Sequence, residues 1–334
     1  MNSFPELYRL ISGFLAEGQE AMAACNAREP KLTKPAGALG RLEEISLHLC
    51  CWQDSHPPRL DNLQACVFAG NHGVAALGVS AFPAAVTEQM VLNFQNGGAA
   101  INQLCRTFGL DLSVDDIELD RPTADFTQGP AMSEAECLEA FSIGFKSVEE
   151  GSDLVILGEM GIGNTTSAAA LCLALFGGEA EDWTGRGTGV GADQLKKKIE
   201  VVRKGRAANP IDDPLMILAA LGGRELAAIV GAVTSARLKR IPVILDGYVC
   251  TAAAAVLHAI RKDALDHCLV GHVSAEPGHR LLLERLEKTP LLDLGMRLGE
   301  GSGAAAAMGL VQAAVACHIG MATFGEAGVS NKAH

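Results

Sequence analysis

Short apolar runs that end in glycine or a polar residue recur at 64–69, 112–119, 153–157, 241–245, 268–270 and, less sharply, 291–296. Their length and near-continuous hydrophobicity predict buried β-strands. Between them lie amphipathic or alanine-rich stretches of helical length, at 86–94, 99–107, 133–150, 165–176, 192–207, 225–238 and 248–261. Strand and helix in alternation predict an α/β fold: a doubly wound, Rossmann-like, mostly parallel sheet with helices on both faces. The chain ends break the alternation. Helices are predicted over 4–26 and 39–53, before any strand, and again over 303–324. The expected organisation is a small helical domain built from 1–60 plus 303–334, and an α/β domain over 61–302.

A chain of 334 residues, 49% hydrophobic and 20% charged, has ample material for a core, which excludes a disordered protein. Aromatics are only 4% while glycine numbers 37, so helices and sheet are expected to approach closely through small residues. Against 27 Lys and Arg stand 39 Asp and Glu, a formal charge of −12, which lacks the basic footprint of a nucleic-acid binder. The first twenty residues contain no continuous apolar segment of the signal-peptide kind, so a cytoplasmic protein is expected. The most apolar stretch, 303–319, is shorter than the ~20 residues of a spanning helix and is interrupted by Gln312, so it reads as a core helix, not a membrane anchor. Ten cysteines include no C-x-x-C pair, and the nine histidines suggest no metal cluster. The cysteines read as small hydrophobes in a reducing compartment.

Ligands of an open parallel sheet bind at the carboxyl ends of its strands, where loops and helix N-termini present N–H groups to anions. Four glycine loops compete for that role: AGNHGVAALGVSAFP, LGEMGIGNTTSAAA, WTGRGTGVGA and LGEGSGAAAA. In the second, Gly161 and Gly163 allow close backbone approach, and Asn164, Thr165 and Thr166 place caps and hydroxyls at a helix start. Neither a Walker A motif nor G-x-G-x-x-G occurs, since Val190 stands where the third loop would need its last glycine. Kinase and dinucleotide readings lose their support.

Glu300 lies between two glycines ahead of an alanine-rich helix, where poor hydration would raise its pKa toward that of a general base; the alternative is a solvated Glu at a helix N-terminus. Glu159 and Asp246 have similar settings, and either could be an N-cap. His72 and His272 could serve as acid–base groups or bond locally. The run Lys196–Lys198 reads as a solvated helix face from which one lysine could turn inward to a phosphate.

Taken together, KPAGALGRLE, NHGV with GVSAFPAAVTEQM, GPAM, LGEMGIGNTTSAAA, IPVILDGY, HVSAEPGHR and MRLGEGSGAAAAM resemble, in order, the motifs of the nicotinate-nucleotide:dimethylbenzimidazole phosphoribosyltransferases. The resemblance spans about 31–324. It implies a homodimeric enzyme, with no metal or other cofactor, that moves the phosphoribosyl group of nicotinate mononucleotide to 5,6-dimethylbenzimidazole, giving α-ribazole 5′-phosphate for the cobalamin nucleotide loop. It further implies Glu300 as general base. Glu159, Gly161, Asn164, Thr165, Thr166, Gly187, Gly189 and Lys198 would hold the nucleotide. Ser80, Phe82, Gln89, Met90, Arg297 and Leu298 would line the azole pocket. Phe82 rather than a hydroxyl precedes Pro83, so the acceptor stays open among dimethylbenzimidazole, another benzimidazole and adenine. The rival from another class is a binding module that keeps the pocket without turnover.

Overall fold

The computed structural model describes residues 3–187 and 189–330. Three helices come first: α1 (Phe4–Ser12), α2 (Gln19–Arg28) and α3 (Arg41–Gln53). The single helix expected over 4–26 is therefore two. The break follows from where each half is buried. Phe4, Leu7 and Ile11 of α1 enter the large core, whereas Ala21 and Cys25 of α2 meet Cys50 of α3 in a separate small cluster, so the chain turns at Gly13 to serve both.

The alternating part runs β1 (Leu63–Ala69), α4 (Ala85–Gln95), α5 (Ala100–Phe108), β2 (Leu110–Asp116), α6 (Glu134–Ser147), β3 (Leu154–Met160) and α7 (Asn164–Phe176). A short α8 (Ala180–Trp183) leads to α9 (Ala192–Ala208), α10 (Pro214–Leu221) and α11 (Arg224–Leu238). The order closes with β4 (Val243–Leu245), α12 (Tyr248–Ile260), β5 (Cys268–Val270), α13 (Pro277–Arg285), α14 (Ser302–Gly320) and α15 (Phe324–Ala327). Stretch 291–296 does not form the sixth strand: Leu292 bridges His272 once, and the chain then turns outward through exposed Asp293 and Leu294 to Gly295 at φ 66°. α10 and α13 stand where the hydrophobic period announces no helix. Their local signals are a proline in the first turn of each and, for α10, an Asp213 cap that accepts from Met216 N at 2.9 Å.

All pairings are parallel, in the order β2-β1-β3-β4-β5. The apolar runs divide their side chains between two faces, as a period of two requires. Leu63, Ala65, Val67, Leu154, Ile156 and Ile244 join Ile45 and Leu49 of α3 and Ala304, Met308 and Val311 of α14 on one side. Cys66, Phe68, Val155, Leu157, Val243 and Leu245 join α6, α7, α10, α11 and α12 on the other. Small residues set the spacing there. A Cβ on Gly144 would stand 1.8 Å from Ala228 O, and one on Gly231 2.0 Å from Phe141 O, so α6 and α11 cross at a distance only glycine permits. α14, 19 residues long, has the length and apolarity to cross a membrane, and half of its apolar window is buried within the fold. The chain ends meet: Thr323 pairs with Leu32, and Arg28 donates to the carbonyls of His318, Ile319 and Met321.

Candidate active site

The chain winds from β1 outward to β2 in one direction and to β3, β4 and β5 in the other, so the sheet reverses its winding between β1 and β3. That switch point, at the carboxyl ends of the strands, is where such sheets bind ligands. A cleft opens there, lined from β3 and its loop by Glu159, Gly161, Asn164 and Thr165, from the β4 and β5 ends by Asp246 and His272, and from the segment before α14 by Arg297, Leu298 and Gly299.

The loop before α14 lies directly on β3. A Cβ on Gly158 would stand 2.3 Å from Gly301 N, so the strand end must be glycine for the two segments to meet. Glu300 N donates to Glu159 O at 3.1 Å, and Glu300 itself sits at φ 64°, a left-handed conformation costly for a side chain that carries a Cβ. Asp246 turns out to cap α14: its carboxylate accepts from Gly303 N at 2.7 Å, Ala304 N at 2.9 Å and Gly301 N at 3.2 Å. This one helix N-terminus thus already has its own internal acceptor, a carboxyl whose pKa burial raises.

Glu159 is not an N-cap; it accepts from the Asn164 side chain. Burial, then the charges of Asp246 and Glu225, push its pKa up to about 8, so at neutral pH it carries a proton. Glu300 is also raised, chiefly by burial, against the pull of the Ile101 and Ala100 amides at the start of α5. Lys198 does turn inward. It is 1% exposed, donates to Thr165 Oγ1 at 2.8 Å and Gly185 O at 3.2 Å, and burial lowers its pKa to about 8. Arg297 donates to Gly187 O at 3.3 Å at the exposed rim.

Of the expected nucleotide residues, Glu159, Gly161, Asn164, Thr165, Gly187 and Lys198 share the cleft. Gly189 lines an adjoining cavity with Arg186, Gly187 and Arg297. Thr166 is buried in the first turn of α7, its hydroxyl without a partner. Among the expected azole residues, Ser80, Arg297 and Leu298 line the cleft, whereas Phe82 and Gln89 are exposed on and before α4 and Met90 packs toward the core. Glu300 lies behind Gly299, outside the lining, with Oε2 buried and unpartnered. His72 is likewise outside: its ring bridges Glu225 Oε1 at 2.5 Å and Ser167 Oγ at 3.0 Å in a fully buried position.

Two contributors escaped the sequence reading. Glu276, in HVSAEPGHR, accepts from Gly187 N at 2.6 Å while its Oε2 stays buried without a partner, and Arg186 adds a rim cation. The only local signal for Glu276 is its place before Pro277 at a helix start. Among the described residues, the one cluster with metal-ligand spacing lies outside the cleft, at the chain-end helices.

A strand-end cleft with a buried lysine beside a glycine–threonine loop, and carboxylates starved of solvent, is built to hold a phosphate ester and move a proton. The chain belongs to the phosphoribosyltransferase family whose sequence model matches residues 16–329. It is similar to the nicotinate-nucleotide–dimethylbenzimidazole phosphoribosyltransferases of Cereibacter sphaeroides, 56% identical over 313 residues and 93% of each chain, and of Rhizobium etli, 54% identical over 331 residues and 98% of each. The crystal structure of CobT from Thermus thermophilus superposes with a TM-score of 0.87 at 43% identity, covering 94% of this chain and 100% of that one.

Proposed function

We propose that the chain transfers the phosphoribosyl group of nicotinate mononucleotide to 5,6-dimethylbenzimidazole or a related azole, releasing nicotinate and α-ribazole 5′-phosphate. The observation that carries this reading is a cleft whose lining joins the Lys198–Thr165 pair, an anion site, to Gly299, with Glu300, whose buried Oε2 lacks a partner, directly behind that glycine. Phosphate binds at Lys198 and the loop from Gly161 to Thr166. Glu159, protonated at neutral pH, donates to a ribose hydroxyl without repelling the phosphate.

The azole nitrogen attacks C1′ as the bond to the pyridinium nitrogen breaks, and that electron pair returns to the nicotinate ring, which needs no acid to leave. The azole N–H proton passes to Glu300, whose raised pKa suits it to accept. A second reading gives this proton to Glu159, which lines the cleft where Glu300 does not, once Glu159 has itself lost its proton above about pH 8. The test is incubation with nicotinate mononucleotide and an equal mixture of 5,6-dimethylbenzimidazole, benzimidazole and adenine, with Glu300→Gln and Glu159→Gln alongside, and chromatography with mass detection. A riboside phosphate from wild type, lost in Glu300→Gln, supports the first reading. Loss only in Glu159→Gln moves the base, and nucleotide binding without product from any acceptor returns the chain to a binding module.

The enzyme acts as a homodimer in the cytoplasm. Phe82, Leu92 and Leu298 are large apolar side chains left exposed on and near α4 and the cleft rim, which a second copy would cover, and ten unpaired cysteines suit a reducing compartment. Sedimentation of a monomer at micromolar concentration would remove the dimer.

A further inference from the structure

Cys25 of α2, Cys50 of α3 and His318 of α14 converge from three helices. All three are buried, and their two sulfurs and a His318 ring nitrogen lie within 4.8 Å of one another. Nε2 of His56, in the loop after α3, stands 3.1 Å from Nε2 of His318. Behind this group, Nδ1 of His318 is 2.6 Å from Glu29 Oε2, and Lys34 holds Glu29 at 2.8 Å and Glu43 at 2.7 Å.

Tetrahedral zinc bonds of about 2.3 Å to sulfur and 2.0–2.1 Å to nitrogen place neighbouring ligand atoms roughly 3.3–3.8 Å apart. The two imidazole nitrogens, 3.1 Å apart, stand slightly inside that spacing, and the three clustered ligand atoms, no two more than 4.8 Å apart, need to close by at most about 1.5 Å. Glu29 performs the second task such a site requires: by accepting from Nδ1 it sets the His318 tautomer and leaves Nε2 with its lone pair toward His56. The surroundings also call for a fastener. The apolar cluster beneath α2 consists of Ala21, Cys25 and Cys50 with Leu47 at its edge, separate from both large cores and too small to hold a helix by burial alone.

We propose that Cys25, Cys50, His318 and His56 bind one zinc ion that clasps α2 and α3 to α14. Two thiolates balance the charge of the ion, and binding releases their protons. Four protein ligands leave no open position, so the ion is structural and takes no part in transfer at the cleft, whose lining includes none of the four. The positions 25, 50, 56 and 318 form no local motif, which is why only the folded chain reveals them.

The test is elemental analysis of the full chain purified in zinc-supplemented medium under reductant, with cobalt(II) substitution of the same protein. The expected result is one zinc per chain and the visible absorption of tetrahedral cobalt thiolate, both lost in Cys25→Ser and Cys50→Ser. Glu29→Gln, which keeps every ligand, should weaken zinc roughly 10–100-fold in competition with a chromogenic chelator. Chelation should lower the Tm while transfer by the still-folded enzyme continues. Folded wild-type protein that takes up neither zinc nor cobalt under reductant overturns the proposal, whatever the variants do. So does a Cys25–Cys50 disulfide in protein isolated anaerobically, seen as a loss of two hydrogens in the intact mass.

Discussion

Strands β1 and β3 end in polar groups at both extremities, and the two ends treat them in opposite ways. At the amino ends, Asp153 accepts from Asp61 N at 2.8 Å and Asn62 N at 2.9 Å, and Gln64 donates to Ser147 O at 2.7 Å and accepts from Glu149 N at 3.1 Å. Neither side chain has a polar atom left over. At the carboxyl ends, one oxygen each of Glu225, Glu276 and Glu300, and Nδ1 of His272, are buried with no partner. Leaving a buried polar atom unpaired costs about 1–3 kcal/mol. Unpaired atoms also occur away from the cleft, as at Arg237, which stacks on Trp52 with Nε and Nη1 unpartnered, so what marks the second end as a place for a ligand is that its unpaired atoms are chiefly carboxylate oxygens gathered about one cleft.

The comparison breaks or sharpens most visibly at Glu300. Glu300→Gln should lower kcat by about 10²–10⁴-fold with nucleotide binding largely kept. Wild-type turnover in the variant would end its role as base. At Glu159 the expectation concerns stability. Its folded pKa of about 8 lies above the ordinary 4.5, so no penalty applies below about pH 4.5, where both states are protonated, and wild-type stability falls as pH climbs from there through 8. Glu159→Gln escapes this, and its advantage in thermal melts should grow from pH 5 to pH 9, on the order of a few kcal/mol. An advantage independent of pH would show that Glu159 is not a protonated, starved carboxyl.

Lys198→Ala should raise KM for the nucleotide by roughly 10–100-fold with a smaller change in kcat, the effect of one charge-assisted hydrogen bond. Because burial lowers the lysine to about 8, wild-type affinity should weaken as pH passes that value, and the variant should not share the trend. The smallest effect is expected at the satisfied end. Asp153→Ala should cost about 1–3 kcal/mol in denaturant unfolding and leave kcat and KM unchanged. A kinetic defect in folded Asp153→Ala would erase the distinction between the two ends.

Much of this was legible beforehand. The strands lie within a few residues of their apolar runs because β1, β3, β4 and β5, buried on both faces, need apolar side chains at nearly every position, whereas β2, a partly buried edge strand, carries the pattern only weakly. The GNTT loop was visible because glycines and capping residues are local properties, whereas the run Lys196–Lys198 read as a solvated helix face and only the family resemblance singled out Lys198 as the one that turns inward. The break between α1 and α2 was not, since it depends on which core each half enters. The bridge at 291–296 resembled a strand because three apolar residues suffice for the pattern, while pairing depends on the neighbour.

By itself, the sequence determined the alternating α/β order, the parallel sheet, the glycine loops at the strand ends and the family. Each is written in short-range periodicity or in motifs of a few residues. Tertiary structure decided which polar groups go without partners. It made Asp246 the cap of a helix 55 residues away, set Glu300 behind Gly299, brought Glu276 to Gly187 and gathered Cys25, Cys50 and His318 at one point with His56 beside His318. Those outcomes rest on solvent exclusion and on distances between segments far apart in the chain, and neither quantity exists until the chain has folded.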